Sequence, residues 1–123
     1  MVLTTNFDDL VADALYLFTL TRPLVIPHES LAGYIRPTRT RPLVVKLHGD
    51  HRLYPSNTPK ETARLKGQIE QGVHTLLHDR GLIFIGYGGN DRGIAEMLRS
   101  LPPEALPLGV YWVGGTEPKN EIR

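Results

Sequence analysis

The chain of 123 residues contains no cysteine. That excludes disulfides, thiolate catalysis and any cysteine-ligated zinc site. Nor does it carry an excess of one charge: 14 basic against 13 acidic side chains leave a formal net of +1. Nucleic acid and anionic membranes recruit strongly basic surfaces, so neither is an expected partner. The one basic stretch, Arg36-Pro37-Thr38-Arg39-Thr40-Arg41, has no aromatic residue among its charges and reads as a solvated loop. No apolar run approaches the length of a membrane span, and the opening residues carry no leader pattern. Internal repeats and low-complexity segments are also missing. With 41% hydrophobic and 22% charged residues, the expectation is one soluble, cytoplasmic globular domain.

What the chain does have is three short polar clusters, each placed where an apolar stretch stops. They are Thr4-Thr5-Asn6-Phe7-Asp8-Asp9, Lys46-Leu47-His48-Gly49-Asp50 and Gly86-Tyr87-Gly88-Gly89-Asn90-Asp91. Apolar runs of this kind read as strands buried in a sheet, and ligands of open α/β sheets bind beyond the carboxyl ends of the strands. Three such ends, bearing an amide, an imidazole and a glycine-rich turn, are expected to share one crevice.

The rest of the chain fits that arrangement. Met1 to Thr5 reads as a strand, followed by a helix with Leu10, Val11, Ala14, Leu15 and Phe18 at helical spacing. Leu24-Val25-Ile26 is a short strand candidate, and Leu43 to Leu47, introduced by Pro42, a clear one. Thr58, Pro59 and Glu61 form a helix start with a capping box. Its apolar stripe is Leu65, Ile69, Val73, Leu76 and Leu77, with Gly81 as the terminating glycine. Gly67 and Gly72 each weaken that helix by roughly 1 kcal/mol relative to alanine, and are expected where it packs closely. Leu82 to Ile85 is a strand stopped by Gly86; Asn90 or Asp91 caps a helix through Ile94, Met97 and Leu98 that ends before Pro102-Pro103; Leu108 to Val113 is the last strand. Strands alternating with helices imply an α/β fold with a mostly parallel, doubly wound sheet.

Each cluster has a plain and a chemical reading. Asn6 or Asp8 can cap the following helix, while a free Asn6 amide could orient a water or a sugar hydroxyl without adding charge. His48 can be a structural histidine or, beside Gly49, a general base. Asp50 can orient that imidazole or cap a turn, the turn being favoured. Gly86-Tyr87-Gly88-Gly89 can be an ordinary strand-to-helix turn or a phosphate cradle, although no Gly-Lys-Ser/Thr follows and position 91 is Asp where a Gly-x-Gly-x-x-Gly motif needs glycine. His74 and His78 are one helical turn apart, but no Glu stands between them in the zinc pattern, so they read as a solvated helix flank and no metal site is expected. A Gly-x-Ser-x-Gly elbow is absent, which leaves triad hydrolases unsupported.

Taken jointly, and in this order, Thr4-Thr5-Asn6-Phe7-Asp8, Lys46-Leu47-His48-Gly49-Asp50 and Gly86-Tyr87-Gly88-Gly89-Asn90-Asp91 resemble the motifs of the sirtuin-like family, in particular its bacterial branch without a zinc module. Gly88 is the departure, standing where that family has serine or a similar small residue. The resemblance implies a Rossmann-like, mostly parallel sheet with helices on both faces and NAD as the substrate. Asn6 would orient water or the nicotinamide ribose and His48 would act as base. Thr5, Asp8, Gly49, Gly86, Tyr87, Gly88, Asn90 and Asp91 would contact the dinucleotide, Gly86 to Gly88 through their backbone.

Zinc-less relatives are typically NAD glycohydrolases, and many are effectors of bacterial antiviral defence joined to a sensing domain. The implied partners are therefore NAD or a related dinucleotide and a fused or associated sensor, with a homo-oligomer left open. A non-catalytic nucleotide-binding or assembly module and an NAD-dependent protein deacylase are the alternatives. Such domains open with an earlier strand and a Gly-Ala-Gly-type turn. The expected organisation is therefore a domain over 1–115 that lacks this first βα unit, followed by a polar tail over 116–123.

Overall fold

The computed structural model of the chain describes residues 1–27, 29–36, 40–47, 59–89 and 92–115, with backbone alone for 29, 30, 59–66 and 92. The chain divides into two compact units, Met1–Val73 and His74–Arg123.

In the first unit three strands form one sheet: β1 (Val2–Thr4), β2 (Leu24–Ile26) and β3 (Leu43–Lys46), in the order β1-β3-β2. Both pairings are parallel. Val2, Leu3 and Thr4 face Val44, Val45 and Lys46, and Leu24, Val25 and Ile26 face Leu43, Val44 and Val45. Parallel neighbours require crossover connections. The helix α1 (Leu10–Thr19) supplies one between β1 and β2, and a 3-10 helix (Glu29–Tyr34) lies between β2 and β3. β3 is paired along both edges, and all four of its residues are buried, so packing covers both of its faces as well. Ile26, Ala32, Ile35, Ile69 and Val73 complete this core.

Arg41 does more than the solvated loop expected of it. Its Nε donates to the Arg22 carbonyl at 3.0 Å and its Nη2 to the Pro23 carbonyl at 2.9 Å, tying the entry of β3 to that of β2. The periodic apolar residues of α1 also behave differently from a core stripe. Val11 and Leu15 are half-buried, but Leu10 is 70% and Phe18 83% exposed, and no residue of the helix is fully buried.

The long helix α2 (Pro59–Leu77) has its N-terminus where Pro59 was expected to place it. Thr58 and the side chains of Glu61 and Leu65 lie outside the described residues. Ile69 and Val73 are buried, as are Leu76 and Leu77 in the second unit. The helix does not end on Gly81. Asp79 adopts the left-handed conformation (φ 60°) and donates its N–H to the Ala105 carbonyl at 3.0 Å. Aspartate tolerates this region better than most side chains. Gly81 instead allows close approach, since a Cβ there would lie 3.2 Å from Leu108 Cβ.

In the second unit β4 (Leu82–Ile85) pairs in parallel with β5 (Val110–Val113), and α3 (Arg92–Arg99) lies between them in sequence. The last strand starts two residues later than expected because Pro107-Leu108 is a turn, closed by the Gly109 N–H on the Leu106 carbonyl at 2.9 Å, with Gly109 at φ 84°. Phe84 and Trp112 are register partners with ring centroids 4.9 Å apart, and Tyr87 stacks on Phe84 at 5.8 Å. The opposite face carries Ile83, Ile85, Tyr111 and Val113, all exposed, so β4 is not the doubly covered strand that its apolar run suggests. Alternating helices and parallel strands in small sheets make this an α/β, Rossmann-like fold. Among the described residues no helix is long and apolar enough to cross a membrane.

The two glycines of α2 differ in surroundings, and this yields a prediction of opposite sign. A Cβ at Gly67 would meet nothing within 4 Å, whereas one at Gly72 would lie 3.0 Å from Ile35 Cβ and 3.1 Å from two further Ile35 carbons. Ile35 is buried and β-branched, so it has little room to yield. Urea unfolding should show Gly67→Ala stabilised by about 0.5–1 kcal/mol, the helix-propensity gain. Gly72→Ala should instead be destabilised by about 1–3 kcal/mol through overpacking.

Candidate functional site

The parallel register places the carboxyl ends of β1 and β3 side by side. Thr4 is opposite Lys46, and the Leu47 N–H donates to the Thr4 carbonyl at 2.9 Å, extending the ladder by one bond. The first cluster therefore leaves β1 at the same edge where β3 ends, two residues before His48. Within it the Asn6 N–H donates to Thr4 Oγ1 at 3.1 Å, which turns the chain sharply after the strand. Thr5 is half-buried at this edge.

Neither Asn6 nor Asp8 is the N-cap of α1; that position is Asp9, which makes no side-chain capping bond. Asp8, one residue earlier, accepts the Leu10 N–H on Oδ1 at 3.1 Å and so serves the start of α1 through a local turn. Asn6 is exposed, and among the described residues its side-chain amide makes no hydrogen bond. One of the two polar side chains thus serves the helix, and the other faces outward with both its donor and acceptor functions available to a ligand.

Lys46 is the residue whose importance the sequence reading missed. It is 2% exposed, and it is the buried charged residue among those described. Its Nζ donates to Asp9 Oδ1 at 2.7 Å and to the Phe7 carbonyl at 3.0 Å. An ammonium buried without acceptors costs several kcal/mol, so these bonds are a condition of β3 being buried at all. Breaking a fully buried pair costs about 3–5 kcal/mol. Asp9 is 42% exposed, which places this pair below that range. The available signal was a single lysine at the end of Leu43-Val44-Val45, at a strand position where apolar side chains precede it.

Of the second cluster, His48, Gly49 and Asp50 lie outside the described residues, as do Asn90 and Asp91 of the third. The described part of the third cluster sits at the carboxyl end of β4. Gly86 (φ 64°) and Gly89 (φ 69°) both occupy backbone conformations that favour glycine. The Gly86 N–H donates to the Val113 carbonyl at 3.2 Å and so continues the β4–β5 ladder. Tyr87 is half-buried, its ring packed with Phe84 and Trp112, so its backbone is the part suited to meet a ligand. Gly88 is exposed.

The two histidines of α2 serve different ends. His78 is exposed beside Asp79, its Nδ1 2.8 Å from Oδ2. His74 is not a solvated flank as expected: it is half-buried, with Nε2 3.1 Å from both the Met97 carbonyl and Ser100 Oγ. It joins the end of α2 to the end of α3. Among the described residues no group of three or more His, Cys, Asp or Glu is positioned to hold a metal ion.

The family model of the SIR2-like domain matches residues 1–120 of the chain. Among curated proteins, none matches it.

Because Asp8 serves α1 and Asn6 does not, their substitutions should separate. Asp8→Ala should lower stability by about 0.5–1.5 kcal/mol, the net worth of one hydrogen bond, with most of the loss avoided in Asp8→Asn, which keeps the accepting oxygen. Asn6→Ala should leave the urea midpoint within error of the parent.

Proposed function

Since the chain belongs to the SIR2-like domain family, whose members generally use NAD, we propose that it is an NAD glycohydrolase, splitting NAD into nicotinamide and ADP-ribose. The observation that carries this reading is the Asn6 amide, outward-facing and unused by the helix, at the strand end adjoining the one that leads to His48. Nicotinamide is a good leaving group because the ring nitrogen it departs on is cationic. Breaking the bond between that nitrogen and the ribose C1′ returns the electron pair to nicotinamide and leaves an oxocarbenium-like ribosyl centre, as in glycoside hydrolysis. A water then adds to C1′. Its proton goes to the neutral His48 imidazole, and the water is aimed by the Asn6 carboxamide oxygen. The overall balance is NAD plus water giving nicotinamide, ADP-ribose and a proton.

In this reading Thr5, Asp8 and Gly49 border the nicotinamide ribose. The Gly86-Tyr87-Gly88 backbone, with Asn90 and Asp91, receives the rest of the dinucleotide. The glycines at 86 and 89, both at positive φ, support a backbone able to approach phosphate oxygens closely. No step calls on a metal. The zinc-less motif pattern further supports a role as a defence effector whose activity is governed by a fused or associated sensing domain in the bacterial cytoplasm.

Nicotinamide release from NAD by the purified chain tests the proposal. His48→Ala should lower kcat about 10²- to 10⁴-fold, the usual contribution of a general base. Asn6→Ala should lower it by a comparable factor without loss of stability. Full turnover in both variants would overturn the assignment. NAD binding without turnover in the parent would favour the non-catalytic module, and nicotinamide release that requires an acyl-lysine peptide would favour the deacylase.

A further inference from the structure

We infer that Lys46 is a positioning residue for Asn6, acting through the loop between β1 and α1; this rests on the assignment of Asn6 to the reaction. The geometry is a two-point anchor. On one side of Asn6 its own N–H is held by Thr4 Oγ1 at 3.1 Å. On the other, the carbonyl of the very next residue, Phe7, accepts from Lys46 Nζ at 3.0 Å, and Asp9 Oδ1 accepts from the same nitrogen at 2.7 Å. Lys46 belongs to the central strand and is 2% exposed, so its ammonium cannot swing into solvent when the loop moves. Asn6 and Phe7 are themselves exposed. The ammonium therefore transmits the rigidity of β3 to the peptide that carries the amide. Lys46 itself does not reach the substrate; it determines where the Asn6 side chain points. A displacement of about 1 Å at a reacting group can cost about 10²-fold in rate.

The experiment is a double-mutant cycle in the full chain, read by nicotinamide release from NAD. Lys46→Met removes the donor while keeping an unbranched side chain of similar length. It should lower kcat about 10²-fold and leave KM within about threefold. In the Asn6→Ala background the same substitution should have almost no further effect, because the group it positions is gone. A merely structural lysine would give losses that multiply across the cycle, or a rise in KM, and either result overturns the inference. Where Lys46→Met does not fold, Asp9→Ala removes the exposed acceptor alone. It should lower kcat about tenfold, again with no added effect on Asn6→Ala; Asp9→Asn, which keeps an accepting oxygen, should recover most of the rate. If the parent chain releases no nicotinamide, the glycohydrolase reading fails, and the positioning itself is then read by NMR. Backbone order parameters of residues 6–9 should fall from rigid values to below about 0.6 in Lys46→Met or Asp9→Ala. Unchanged values would overturn it.

Discussion

The first unit is organised by the burial of β3. Its four residues have parallel neighbours along both edges and are buried on both faces, and Leu43, Val44 and Val45 suit that environment. Lys46 does not, and its ammonium must find acceptors without leaving the strand. Among the described residues they come from the loop that follows β1, which the register brings there. Strand pairing, burial of a charge and the placement of the Asn6 loop are thus linked in one chain of cause. Each step depends on the parallel register of Thr4 with Lys46.

The second unit is built more lightly. Its two strands are joined by a ladder that Gly86 extends, and one face is closed by the aromatic group of Phe84, Tyr87 and Trp112. Leu76, Leu77, Ile94, Ala95, Met97 and Ala105 provide its buried apolar side chains. His74 adds a polar connection at the end of α3, where unsatisfied carbonyls need donors. The glycine-rich cluster leaves β4 from this frame, so its conformation is set at positions 86 and 89 by backbone angles that a side chain would strain.

Much of this was legible in the residues. Apolar runs ended by polar clusters located β1, β3 and β4 to within a residue or two, and the helical spacing of Ile69, Val73 and Leu76 located the buried stripe of α2. Periodicity was less informative about depth. The spacing in α1 marks a helix correctly, yet Leu10 and Phe18 stay in water, because period alone does not say what a stripe meets. Likewise the close-packing glycine of α2 is Gly72 and not Gly67. The difference lies in where Ile35, distant in sequence, happens to sit.

By itself, the sequence determined the alternation of strands and helices, the absence of thiol chemistry, and the three ordered motifs by which the family is recognisable. Those are local or compositional properties, set by side-chain type and spacing along the chain. Only the tertiary structure decided that Asp8, not Asn6, serves α1, and that Asp79 rather than Gly81 takes the left-handed turn after α2. It alone brought Lys46 to Phe7 and Asp9 across 39 and 37 residues of chain. A buried ammonium must take acceptors wherever the strand register brings them, and register is a relation between segments that no local pattern contains.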